Sequence, residues 1–156
     1  MEMHITVETD NKKVTSKEFL EATEFMLKLL LPESILRKIK LDLVFSSDEA
    51  LHGDWAQLRV LDTNKYSRAF EIYIRPTLSR ENQLKSLAHE LTHLKQYATN
   101  YVPSVIRTRK KSNYEPYNIY YTDPMEIEAF GRELGLFLAW HHELQERKKL
   151  KDKGAN

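Results

Sequence analysis

Between Ser79 and Thr99 the chain reads SRENQLKSLAHELTHLKQYAT, and this segment constrains the fold more than any other. Leu84, Leu87, Ala88, Leu91, Leu94 and Ala98 recur at helical spacing on a stripe about 120° wide, which requires an apolar surface to lie against. Ser79 is a fitting N-cap for such a helix. His89 and His93 stand roughly 150° or more from the middle of the stripe. The helix therefore has one face for a core and another for a different purpose.

The surrounding segments offer that core. MHITVET alternates like a short strand, and SKEFLEATEFMLKLLLP, from Ser16, has the spacing of an amphipathic helix stopped by Pro32. IKLDLVF (39–45) places Ile39, Leu41, Leu43 and Phe45 on one face, and WAQLRVLD and AFEIYIRP read as two further strands. From Asn100 to Thr122 the chain is rich in tyrosine and basic residues without a clean period, an excursion of the kind that usually serves function. Asp123 and Pro124 are a helix start signal, and the apolar spacing from Ile127 through Phe137 extends that helix to about Arg147. The expectation is one α+β domain over residues 1–148. It comprises an N-terminal helix, a small, mostly antiparallel sheet of three to four strands, the histidine-bearing helix and a C-terminal helix. A frayed basic tail is expected at 149–156.

Composition narrows the chemistry. With 41% hydrophobic and 30% charged residues, 156 residues suffice for a core without staples. The absence of cysteine removes disulfides and thiolate metal sites, so a metal would have to be held by His, Asp or Glu. The start of the chain has no apolar signal core, and FMLKLLLP is too short and too interrupted to span a bilayer, so no membrane association and a cytoplasmic location are expected. A net charge of +1 gives no global pull toward nucleic acid, although RTRKK (107–111) is a local basic run.

His89 and His93 are four residues apart, which stacks both imidazoles on one side of the helix, as two nitrogens at about 2.0–2.1 Å from one Zn²⁺ require. Glu90 lies about 100° around from His89, placed to reach an activated water without ligating the metal. A catalytic zinc needs a third protein ligand. DPMEIEAFGRELGLFLAWHHELQ offers Glu126, Glu128, Glu133, His141 and His142, with His4 and His52 upstream. Ile127, Phe130, Leu134 and Phe137 all fall within about 100° of Glu126 around the helix, whereas Glu128 lies about 200° away. If those apolar residues face inward, Glu126 borders the buried face and is the better ligand. Glu133, two turns along on the same side, is placed to orient a ligand. His141 lies about 22 Å along the helix from Glu126 and cannot share its metal.

HELTH on a helix followed by Pro-x-Glu-x-Glu-Ala resembles the gluzincin metallopeptidases. AHELTHLKQYA with DPMEIEAFGRE is similar, more closely, to small SprT-like metallopeptidases of bacteriophages and bacteria, with Met125 where those have tryptophan. The likeness covers most of the chain and implies a minimal zincin-like fold, zinc on His89, His93 and Glu126, and Glu90 as general base. A phage-encoded copy would work in the host cytoplasm. SprT proteins proper usually carry a third histidine and often a cysteine-rich zinc ribbon. This chain has neither, which weakens any transfer of their DNA-linked roles.

The activity expected from this resemblance is metal-assisted hydrolysis of protein or peptide substrates, as an endopeptidase rather than an exopeptidase, with substrate extended along an exposed sheet edge. Tyr120 and Tyr121 are candidates to donate to the oxyanion or contact substrate. The rival expectation is a catalytically silent zinc-binding domain that holds a host protein or nucleic acid through the Asn100 to Thr122 excursion. Nucleic acid is the less favoured partner, and oligomeric state is not encoded in any pattern of the sequence.

Overall fold

Alternation in the N-terminal segment produces β1 (His4–Thr9), which the chain leaves through a turn to enter α1 (Ser16–Leu30). A connection containing a helix is what two parallel strands need. Accordingly β2 (Lys40–Phe45) pairs parallel with β1, His4 opposite Lys40 and Thr9 opposite Phe45. Pro32 ends α1 and at once begins the single turn α2 (Glu33–Leu36), which the sequence pattern had not disclosed. This computed structural model describes residues 3–12, 14–46, 51, 53–100 and 123–154.

The chain then passes outward to β3 (Ala56–Val60) and returns as β4 (Ala69–Ile74), giving the sheet order β1-β2-β4-β3. β4 runs parallel to β2, and only the β3–β4 pair is antiparallel. The molecule is α+β, with four helices and a four-stranded mixed sheet among the described residues. The mostly antiparallel sheet expected from sequence is corrected: two of its three pairings are parallel. Strand alternation reports which side chains face inward, but carries no information about strand direction, which here is set by how the connections run.

Leu41, Leu43 and Phe45 of β2 and Phe70, Ile72 and Ile74 of β4 bury one sheet face against Phe19, Met26 and Leu27 of α1 and the apolar stripe of α3 (Arg80–Thr99). All six stripe residues of α3 are fully buried. Phe19 meets Phe45 edge-on with ring centroids 4.8 Å apart. Ser79 caps α3 by accepting the Asn82 N–H at 3.2 Å, and Asn100 closes it in the left-handed conformation.

α4 (Pro124–Gly154) packs mainly along α3, on the side away from the sheet. Its start is the one the sequence marks: Asp123 accepts the Met125 N–H at 2.9 Å, and Pro124 is the first helical residue. Its end is not, because the helix continues past Arg147 to Gly154. Glu143–Arg147 and Glu146–Lys149 pairs support the extension, Arg147 reaches Glu21 of α1, and Lys151 and Lys153 suit the negative end of the helix dipole. The buried face of α4 is Ala129, Leu136, Phe137 and Trp140. Ile127, Phe130 and Leu134 are 57%, 42% and 51% exposed, so the apolar face inferred from their spacing is corrected. No helix of the described residues is long and apolar enough to cross a membrane.

Candidate metal centre

The rotation of α4 that leaves Ile127 and Leu134 outside turns Glu126 and Glu133 toward α3. Glu126 Oε2 lies 3.1 Å from His89 Nε2, and Glu126 Oε1 lies 3.2 Å from His93 Nε2. The two Nε2 atoms are themselves 3.2 Å apart. His89, His93 and Glu126 thus form a group that could hold a metal ion.

The spacing of these atoms tests the fit. Two ligands each about 2.0–2.1 Å from a tetrahedral zinc stand roughly 3.3–3.4 Å apart. All three separations fall just short of that range. Each histidine meets a different oxygen of Glu126, so N–H donors can serve both carboxylate contacts, but the 3.2 Å approach of the two Nε2 atoms sets like groups against each other. A cation between the three side chains would relieve that contact.

The other nitrogen of each ring is engaged. Glu133 Oε2 lies 3.1 Å from His89 Nδ1, and Gln96 Oε1 lies 2.8 Å from His93 Nδ1. Phe130 covers the remaining side of His89, edge-on, with centroids 4.5 Å apart. Glu128, rejected as a ligand, points away to Lys95 at 2.5 Å and Arg132 at 3.0 Å, and accepts from Gln96 at 2.9 Å. His141 lies next to Gln145, outside the cluster, and His4 is on β1. His52, Tyr120, Tyr121 and the RTRKK run lie outside the described residues.

Glu90 takes no part in the cluster. It is buried, and its Oε2 accepts the backbone N–H of Leu58 at 2.8 Å. That bond comes from the outer edge of the sheet. Arg75 donates to the Trp55 carbonyl and Leu61 to the Ala69 carbonyl, so the odd-numbered residues of β3 bond to β4. The backbone groups of Ala56, Leu58 and Val60 therefore face outward. β3 and the histidine helix line a shared cavity of about 760 Å³, with Trp55, Tyr97, Met125 and Phe130 on its walls.

The charges are strongly coupled. Burial opposes ionisation of Glu126, but hydrogen bonds with His89 and His93 outweigh it and draw its pKa down to about 2. Burial likewise opposes protonation of His93, and its bonds to Glu126 and Gln96 lift it to about 9. His89 is raised in the same way, burial being overcome chiefly by Glu126. Glu90 is raised above the usual carboxylate value because burial exceeds the opposing pull of the two histidines and the Leu58 N–H.

The sequence points to Glu126 through an inward face of Ile127, Phe130, Leu134 and Phe137, of which only Phe137 is buried. Glu126 is at the site, on the side of α4 that buries Ala129, Leu136, Phe137 and Trp140. Gln96 was not singled out, although it stands three residues after His93 and so shares its side of the helix. Comparison with protein-family models, curated proteins and solved structures returned no match to this chain.

Proposed function

We propose that this protein is a zinc-dependent metallopeptidase of the gluzincin type that cleaves within extended polypeptides. The observation that carries the reading is the combination of a three-ligand cluster with ligand-sized spacing and a buried fourth group, Glu90, that faces the same cavity without joining the cluster. Among the described residues three side chains meet at the cluster, the number that a hydrolytic zinc site uses while keeping one position open. The resemblance to SprT-like metallopeptidases supports the same assignment.

In this reading His89, His93 and Glu126 would hold zinc, which would supply the Lewis acidity that polarises a peptide carbonyl and acidifies water. Glu90 would serve as the general base and then as proton donor to the leaving amine, and burial raises its pKa above the usual carboxylate value. Leu58 N–H fixes the carboxylate while this happens. The substrate adds as a further strand to β3, using the outward N–H groups of Ala56 and Val60 and the carbonyls of Ala56, Leu58 and Val60. An edge strand accepts residues on both sides of the scissile bond, which favours internal cleavage. Trp55, Tyr97 and Phe130 give the cavity walls suited to large apolar side chains.

The test is cleavage of a peptide library and of a denatured protein, alongside zinc quantification. Glu90→Gln is expected to keep one zinc per chain and lose cleavage, and His93→Ala to lose both. Wild-type protein that acquires no stoichiometric zinc on reconstitution would overturn the proposal.

A further inference from the structure

The Nε2 atoms of both histidines converge on Glu126, and something must make those atoms, not the Nδ1 atoms, the free donors. For His89 the partner is a carboxylate oxygen of Glu133. For His93 the partner is an amide, Gln96, which could present either an acceptor or a donor. Its surroundings decide which.

Gln96 is 1% exposed, so its amide has no solvent to satisfy it. One end reaches two acceptors: the backbone carbonyl of Met125 at 3.0 Å and Glu128 Oε2 at 2.9 Å. Both demand the NH₂ group. Turning the amide over would set its oxygen against a carbonyl oxygen and a carboxylate oxygen, two acceptor–acceptor contacts that a buried site does not tolerate. Lys95 and Arg132 both bind Glu128 Oε1, and the Gln96 amide is the group that reaches Oε2. The Gln96 oxygen must therefore face His93 Nδ1, where it can only accept. His93 consequently carries its proton on Nδ1 and presents Nε2 to Glu126.

We infer that Gln96 is a positioning residue for this site: it fixes the protonation of His93 at Nδ1 and, through the same amide, docks the turn of α4 that carries Glu126 onto α3. Met125, whose carbonyl it holds, directly precedes Glu126 in the chain. One side chain thus sets both the donor atom of one ligand and the approach of another, and the functional pattern on α3 extends from His-Glu-x-x-His to His-Glu-x-x-His-x-x-Gln. The inference rests on the metal reading of the same cluster only for its effect on affinity.

Two variants separate this role from packing. Gln96→Met keeps the shape and removes the acceptor. Gln96→Glu keeps an acceptor for His93, but loses the donors and sits beside Glu128. Zinc affinity is expected to fall roughly 10–100-fold in Gln96→Met, the range for loss of a group orienting a ligand, and by less in Gln96→Glu, although the latter is the less thermostable fold. A residue that merely fills space predicts the opposite ranking. Nitrogen-15 NMR of the imidazoles provides the direct reading, with wild type showing a protected His93 Nδ1 proton, with or without zinc, that Gln96→Met loses. A wild-type His93 protonated at Nε2 and ligating through Nδ1 overturns the inference, as does a Gln96→Met protein that binds zinc within about twofold of wild type. Should wild type show the Nδ1 proton yet bind no zinc, the metal reading falls and the protonation set by Gln96 stands. Should Gln96→Glu fail to fold, the Gln96→Met affinity and the wild-type spectrum decide.

Discussion

The carboxylate of Glu90 is hydrogen-bonded to the backbone N–H of Leu58 at 2.8 Å, which ties an acid on the histidine helix to the outermost strand of the sheet. The strand proposed to receive substrate therefore also orients the proposed base. Leu58→Pro removes this one donor and leaves the β3–β4 ladder intact, because the Leu58 N–H faces outward and proline is tolerated at such edge positions. The expected result is zinc content unchanged and kcat lowered by roughly tenfold or more, part of the 10²–10⁴-fold that a positioned acid–base group provides. Steady-state kinetics with paired metal analysis checks it.

Metal-free protein should be most stable between its carboxylate and imidazole titrations. His93 is raised from an ordinary 6.5 to about 9, so the stability it contributes is fully present below 6.5 and is lost as pH rises through 9. Glu126 is lowered from 4.5 to about 2, so its contribution is present above 4.5 and lost as pH falls through 2. Both describe the same ion pairs. Thermal unfolding of the chelator-treated protein across pH is expected to show a plateau at about 4.5–6.5 that declines on both sides.

Zinc uptake near pH 7 must expel the proton that His93 carries in the metal-free state. Titration calorimetry in buffers of different ionisation enthalpy is expected to report release of about one proton or more per zinc bound. An apparent enthalpy independent of buffer would contradict the assignment of His93 as a ligand.

A ligand set split between two helices makes the ion a cross-link, so its removal should weaken the fold. At free zinc a thousandfold above Kd the stabilisation is about 4 kcal/mol, which for a chain of this size corresponds to roughly 8–16 °C in Tm. Hydrogen exchange in the first turns of α4 should rise on chelation. Glu126→Ala should abolish the zinc-dependent shift, whereas Glu128→Ala should reduce it without removing it.

The orientation of α4 is open to a simple check. Leu134→Glu, at a half-exposed position, is expected to alter unfolding free energy by no more than about 0.5 kcal/mol. Trp140→Ala, at a fully buried one, should cost about 3–5 kcal/mol. Denaturant unfolding measures both.

The parts of this structure legible in the sequence are those encoded locally. The α3 stripe, the Ser79 and Asp123 caps and the alternation in β2 are properties of short windows, and they appear where the residues place them. Strand direction depends on connections and was misread. On α4 hydrophobic periodicity weights Ile127, Phe130 and Leu134 over Ala129, whereas the structure buries Ala129 with Leu136, Phe137 and Trp140. A small residue such as Ala129 contributes little to a periodicity count, yet permits close approach. Gln96 went unnoticed because a glutamine on a helix has no periodic signature; only its three-residue offset from His93 marks it.

α4 is about 46 Å long, with Glu126 near one end and its main aromatic anchor, Trp140, fourteen residues away. That separation is about 21 Å, so the helix behaves as a lever with its fulcrum in the core. A pivot of roughly 3° at Trp140 carries Glu126 about 1 Å, a misplacement that can cost on the order of a hundredfold in rate. Substitutions at the neighbours of Trp140, Phe25 and Arg147, would then be expected to disturb the Glu126 cluster before they unfold the chain.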